Sequence, residues 1–90
     1  MARFVREIAF VAEDARRLAV RPRHRAYLRA LWERGKLVTA GPWADDRGAL
    51  LVYEVADLAE VGELVAADPY TETAVVTEVS VREWRPILPD

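Results

Sequence analysis

The apolar residues of this chain change their spacing along the sequence, and the order of those changes leaves few folds open. Residues 3 to 11 place Phe4, Val5, Ile8, Phe10 and Val11 around Arg6 and Glu7, a β-branched and aromatic mix that predicts a first strand ending near Ala12. Glu13 and Asp14 then set acids where a helix dipole favours them, ahead of a short helical piece from Ala15 to Val20. Pro22 lacks a backbone donor and disfavours helical backbone at Arg21, so a break is expected there, with Pro22 in the first turn of a second piece. In that piece Tyr27, Leu28, Leu31 and Trp32 follow the three-and-four spacing of one buried stripe, and Gly35 falls where a left-handed cap is expected.

Leu37, Val38 and Ala40 predict a second strand ending at Gly41-Pro42, and after the polar turn Asp45-Asp46-Arg47-Gly48 a third strand runs from Ala49 to Val55. Asp57-Leu58-Ala59-Glu60 has N-cap and capping-box chemistry, opening a helix that must end by Asp68 because Pro69 follows. Val75, Val76, Val79 and Val81 form a last strand running toward Trp84. The order is βαββαβ, an α+β pattern that predicts a four-stranded antiparallel sheet with both helices on one face. With 90 residues there is room for one domain, spanning 1–90.

Counting in twos assigns Phe4, Ile8 and Phe10, Leu51, Tyr53 and Val55, and Val75, Val79 and Val81 to the helix side of the sheet. The other side mixes Val5, Leu50, Val52 and Val76 with Glu7, Glu54, Glu78 and Arg82. That is more apolar than a water-facing surface needs, and a second copy of the chain is the expected cover.

Charge and composition remove several function classes. With 13 basic and 15 acidic residues the chain has no net attraction for a phosphate backbone, so nucleic acid is not an expected partner. Cysteine is absent, which excludes disulfides, thiolate metal sites and cysteine nucleophiles. The charged start, Met1-Ala2-Arg3-Phe4-Val5-Arg6-Glu7, does not read as a signal peptide and no long apolar run follows, so the expectation is a soluble, cytoplasmic protein with no membrane partner.

His24 is the single histidine, and its side chain alone titrates near neutrality when unperturbed, which makes it the first candidate for acid/base work. Its spacing to Leu28 and Leu31 also fits a partly buried histidine bonded to backbone. Asp68 sits before Pro69 at a helix end, where the dipole disfavours an acid, so a compensating contact is expected. Two are open: a local turn contact near Tyr70, or a carboxylate that orients His24. Gly41-Pro42 reads as a turn or as a wall against a ligand. Glu7, Glu54 and Glu78 could share a metal in principle, but strand carboxylates more often pair with arginines, and no metal is expected. The run Arg16, Arg17, Arg21, Arg23, Arg25 and Arg29 reads as a solvated helix face, from which Arg21 could hold an anionic substrate. Trp32, Trp43 and Trp84 read as core or interface. No phosphate loop, Gly-x-Ser-x-Gly, zinc-binding pair, flavin motif or haem ligand set is visible, and no cofactor is expected.

Four segments together resemble the YciI-like (YCII-related) family of the dimeric α+β barrel superfamily: 21–28 with His24, 35–42 ending at Gly41-Pro42, Asp68-Pro69-Tyr70, and Val81-Arg82-Glu83-Trp84. The resemblance spans almost the whole chain. It implies a ferredoxin-like subunit paired with a twin through its open sheet face, and a site built on a His and Asp pair, here His24 and Asp68. Arg21, Gly41, Pro42 and Tyr70 would line the pocket. The function it implies is a cofactor-independent lyase or isomerase acting on a small organic molecule, with hydroxyaromatics as one candidate class. The alternative is a ligand-binding or interaction module that works as a dimer without turnover.

Overall fold

The computed structural model describes residues 1–11 and 14–89. Its elements are β1 (Ala2–Phe10), α1 (Asp14–Glu33), β2 (Leu37–Pro42), β3 (Gly48–Val55), α2 (Leu58–Ala66), α3 (Pro69–Glu72) and β4 (Val76–Trp84). The strands form one antiparallel sheet in the order β2-β3-β1-β4. This is the ferredoxin-like βαββαβ arrangement, with α3 added as a single turn between α2 and β4. The expected end of β1 near Ala12 and the dipole role of Glu13 lie outside the described residues.

The helix α1 runs unbroken through Pro22, contrary to the expected restart. Pro22 and Leu18, whose carbonyl loses its partner, both lie on the exposed side, so solvent is available to that oxygen while the buried side keeps packing. The buried stripe is Arg17, Val20, His24 and Leu31, with Tyr27 and Leu28 packed against the core. Trp32, expected on that stripe, is 56% exposed. Gly35 ends the helix at φ 75°, with its own amide bonded to the Trp32 carbonyl and the Lys36 amide to that of Leu31. Two orphan carbonyls of the last turn are thereby satisfied.

Asp57 caps α2 as expected, its carboxylate accepting the Glu60 amide at 2.9 Å while Glu60 accepts from the Ala56 amide at 2.8 Å. Asp68, by contrast, does not close α2. It is the N-cap of α3, with Pro69 in the first helical position, so the dipole that would repel it as a helix end instead favours it. The core lies between the helices and one sheet face: Phe4, Ile8, Leu51, Tyr53 and Val55 pack with Val20, Leu31 and Val61. Each such side chain contributes about 1.5–3 kcal/mol on burial.

The strand β4 corrects the expected phase. Glu7 pairs with Ser80 and Ile8 with Glu78, which leaves Val79 as one extra residue in a bulge. From Val76 to Glu78 the side chains change face relative to a regular count, while Val75, just before the strand, and Val81 keep their expected place against the core. Val76 therefore packs on the core opposite Phe10, Val79 is exposed, and Glu78 shares the helix side with Ile8. Glycine is required at Gly48, where an added Cβ would come 2.2 Å from the Ile8 carbonyl oxygen. No helix among the described residues is long and apolar enough to cross a membrane.

Candidate active site

The site begins with an arginine in the middle of an apolar strand face. Arg6 alternates with Phe4 and Ile8 on β1 and is fully buried, so its guanidinium must find acceptors inside the protein. It finds four. Nη1 donates to Asp68 Oδ2 at 2.7 Å and to the Tyr53 hydroxyl at 3.0 Å, Nη2 to Glu78 Oε2 at 2.7 Å and Thr71 Oγ1 at 3.1 Å, and Nε to Glu78 Oε1 at 2.8 Å. The bulge at Val79 is what turns Glu78 toward this cation. Burial lowers the arginine's proton affinity, but Glu78, Tyr53 and Asp68 outweigh it and leave the guanidinium more firmly charged than usual. Tyr53, whose hydroxyl is buried beside it, is pushed up to about 12 by burial and stays neutral.

Asp68 connects this cluster to His24. Its Oδ1 lies 2.7 Å from His24 Nδ1 and accepts the Tyr70 amide at 2.9 Å. Both contacts left open for this aspartate are therefore made at once. Burial pushes its carboxyl up, yet the hydrogen bond and charge of His24, with Arg6 and the Tyr70 amide, reverse this and hold it below the usual carboxylate range. An ionised Asp68 only accepts, so Nδ1 must carry the proton and the lone pair of the neutral imidazole falls on Nε2. The Tyr70 ring stacks on the imidazole at 3.7 Å between centroids and 5° between planes, fixing its orientation from one side.

His24 is 6% exposed and opens onto a cleft of about 550 Å³ between α1 and β2. Its Nε2 has no partner among the described residues and is not sealed off, since Arg17 Nε is the only buried side-chain nitrogen or oxygen left without a partner among them. Arg21, Gly41, Pro42 and Tyr70, the other expected wall residues, all line the same cleft. A Cβ on Gly41 would meet nothing within 4 Å, so packing does not demand glycine there. Trp32 lines the cleft from α1 instead of filling the core, and Trp43 and Trp84 are also exposed.

The arginine run is not uniformly solvated: Arg17 is buried, with its guanidinium 4.1 Å above the Phe10 ring. Of the three glutamates considered as metal ligands, Glu54 pairs with Arg3 at 3.3 Å and Glu78 with Arg6. No cluster of three or more histidine, aspartate or glutamate side chains able to hold a metal forms among the described residues. Arg6 was missed by the sequence reading, although a cation in the phase of buried residues was a usable signal for an internal carboxylate.

Comparison with known proteins bears on the fold and the family. A solved structure, 5-chloro-2-hydroxyhydroquinone dehydrochlorinase (TftG) from Burkholderia phenoliruptrix AC1100 in complex with 2,5-dihydroxybenzoquinone, has the same fold, with a TM-score of 0.71 at 23% identity over 96% of this chain and 93% of that one. Protein YciI of Escherichia coli O6:H1 is 33% identical over 83 residues, covering 81% of this chain and 85% of the relative. An uncharacterized protein of Haemophilus influenzae is 32% identical over the same shares. The family model described as the YCII-related domain matches residues 2–85, and the chain belongs to that family.

Proposed function

We propose that the protein is a cofactor-independent acid/base enzyme, of lyase or isomerase type, acting on a small hydroxyaromatic or related enolisable compound. One observation carries the reading: an ionised Asp68 bound to His24 Nδ1, which leaves Nε2 as a base facing a cleft. His24 takes the proton of a substrate hydroxyl or activated C–H at Nε2. The electron pair left behind spreads over the ring or carbonyl; an isomerase returns the proton at another atom, and a lyase expels an anionic leaving group. Asp68 stabilises the imidazolium formed meanwhile, and Arg21 with the Gly41-Pro42 wall positions the substrate. The dehydrochlorinase of the same fold, solved with a dihydroxybenzoquinone, supports this substrate class.

The test is turnover of chlorinated hydroxyhydroquinones followed by chloride release. His24→Ala is expected to fold normally by circular dichroism and to lose about 10²- to 10⁴-fold in rate. Full activity in that variant would overturn the assignment.

A second reading is a binding module that works as a dimer without turnover, and the near-complete burial of His24 favours it. Pairing is part of both readings. The sheet face away from the helices carries Val5, Leu50, Val52 and Trp84, which suits cover by a second copy. Sedimentation is expected to give twice the 10.2 kDa chain mass. A monomer at every concentration would contradict the pairing.

A further inference from the structure

His24, Leu28 and Trp32 recur at every fourth residue of α1, and all three line the cleft. At 3.6 residues per turn this spacing winds only about 40° per step, so the row drifts slowly from the inner side of the helix toward its outer side. Burial follows the row: His24 is buried, Leu28 half-buried and Trp32 exposed. The cleft is therefore deep at the imidazole and shallow at the indole. Two such steps set the ends about 12 Å apart along the helix axis, farther than a single six-membered ring can span.

Trp32 is the informative member. Its neighbour Leu31 is buried in the core, while the indole stands at the mouth of the cleft with more than half of its surface open to a ligand. An indole offers one of the largest apolar surfaces of any side chain, and proteins usually cover it. The Lys36 amide bonds to the Leu31 carbonyl, so β2 starts beside the last turn of α1 and brings Leu37 and Val38 to the Trp32 end of the lining. Arg25 and Arg29 line the cleft as well, but both are exposed, and such side chains lay an apolar stem along a groove while the charge stays in water. The volume of about 550 Å³ lies in the range of pockets that enclose ligands of several rings, about 300–1,000 Å³. One hydroxylated ring at His24 leaves the outer part of it empty.

We propose that Trp32, with Leu28 and the Leu37-Val38 end of β2, forms a subsite for a flat apolar extension of the substrate: the reacting ring lies at His24, and an aryl substituent on it lies against the indole. The reading rests on the acid/base proposal above for which end of the ligand meets His24, and it narrows the substrate class from single hydroxylated rings to aryl-substituted ones. The subsite is continuous with the catalytic end, since one row of α1 side chains lines both. It also gives the exposed indole a partner, because aromatic rings stack on one another with a gain beyond the area they bury.

Calorimetric titration with 2,5-dihydroxybenzoquinone and with its 3-phenyl derivative tests the subsite; both carry the same ionisable hydroxyls, so only the extension differs. The phenyl compound is expected to bind at least about tenfold more tightly. Trp32→Ala, which removes an exposed side chain and leaves the core intact, should abolish that gain and leave the affinity for the unsubstituted ring unchanged. Trp32→Phe should keep part of the gain, since a smaller ring still stacks. Equal affinity for the two compounds, no binding of either, or a gain that survives in Trp32→Ala would overturn the proposal. So would a Trp32→Ala protein that loses both compounds alike and sediments as a smaller species than the native protein, because the indole would then belong to a subunit contact. A phenyl gain that depends on Trp32 without turnover of any hydroxyaromatic compound would leave the subsite standing and remove the acid/base reading. Turnover of single-ring compounds with no phenyl gain would do the reverse.

Discussion

Among the described residues two arginines are buried, and their surroundings could hardly differ more. Arg6, on β1, has its nitrogens matched by Glu78, Tyr53, Asp68 and Thr71. Arg17, on α1, leans on Phe10, shares two exposed acids and leaves Nε unmatched among the described residues. A buried cation is costly unless its partners are complete. Arg6 is thus part of the architecture that holds Asp68 in place, whereas Arg17 is held by a ring contact and by two acids that are largely exposed. The boundary between them runs through the Asp68–His24 contact, where the closed network ends and the open cleft begins.

The contrast breaks most readily at Arg6. Arg6→Met is expected to cost about 3–5 kcal/mol in denaturant unfolding, because Asp68 loses its buried counter-ion and no solvent reaches it. A smaller loss, about 2–3 kcal/mol, is expected for Asp68→Asn, which keeps the shape and one acceptor oxygen. That loss should depend on pH. Because the folded pKa of Asp68 lies below its unfolded value near 4, the ionised carboxylate stabilises the fold fully above about pH 5. The contribution fades as pH falls through the lower folded value, so the native and Asp68→Asn stability curves should converge in acid. Parallel curves down to pH 2 would mean that the carboxylate gains nothing from its partners. The smallest effect is expected at Arg17: Arg17→Met should stay within about 1 kcal/mol of the native stability, since the lost ring contact is offset by removing an unsatisfied donor. If it matched Arg6→Met, the distinction between a fully matched and a partly matched arginine would fail.

The fold was legible because its main elements carry local signals: alternation on β1, a nearly continuous apolar run on β3, the Asp57 capping box, and Gly35 at a positive-φ cap. His24, Asp68, Arg21 and Gly41-Pro42 stood out by residue type and position, the family resemblance joined them with Tyr70 into one site, and the structure brings them together around one cleft. What the chain hid were consequences of long-range geometry. The bulge at Val79 has no marker in its own residues, yet it decides that Glu78 faces Arg6, 72 positions away. Pro22 was read as a break because the local rule ignores that the Leu18 carbonyl it leaves unpaired lies on the wet side of α1. Arg17 looked like part of a solvated run because burial of one member depends on Phe10 of a different element. Asp68 was taken as a helix end because α3 has only 4 residues, too few to announce itself by periodicity.

The central claim is that Asp68 fixes the proton of His24 on Nδ1 and leaves Nε2 bare toward the cleft. Long-range proton–nitrogen correlation spectra of the single imidazole, recorded above its titration, read this directly. The account predicts an Nδ1 resonance in the protonated range and an Nε2 resonance in the unprotonated range; a dominant Nε2–H tautomer would contradict it.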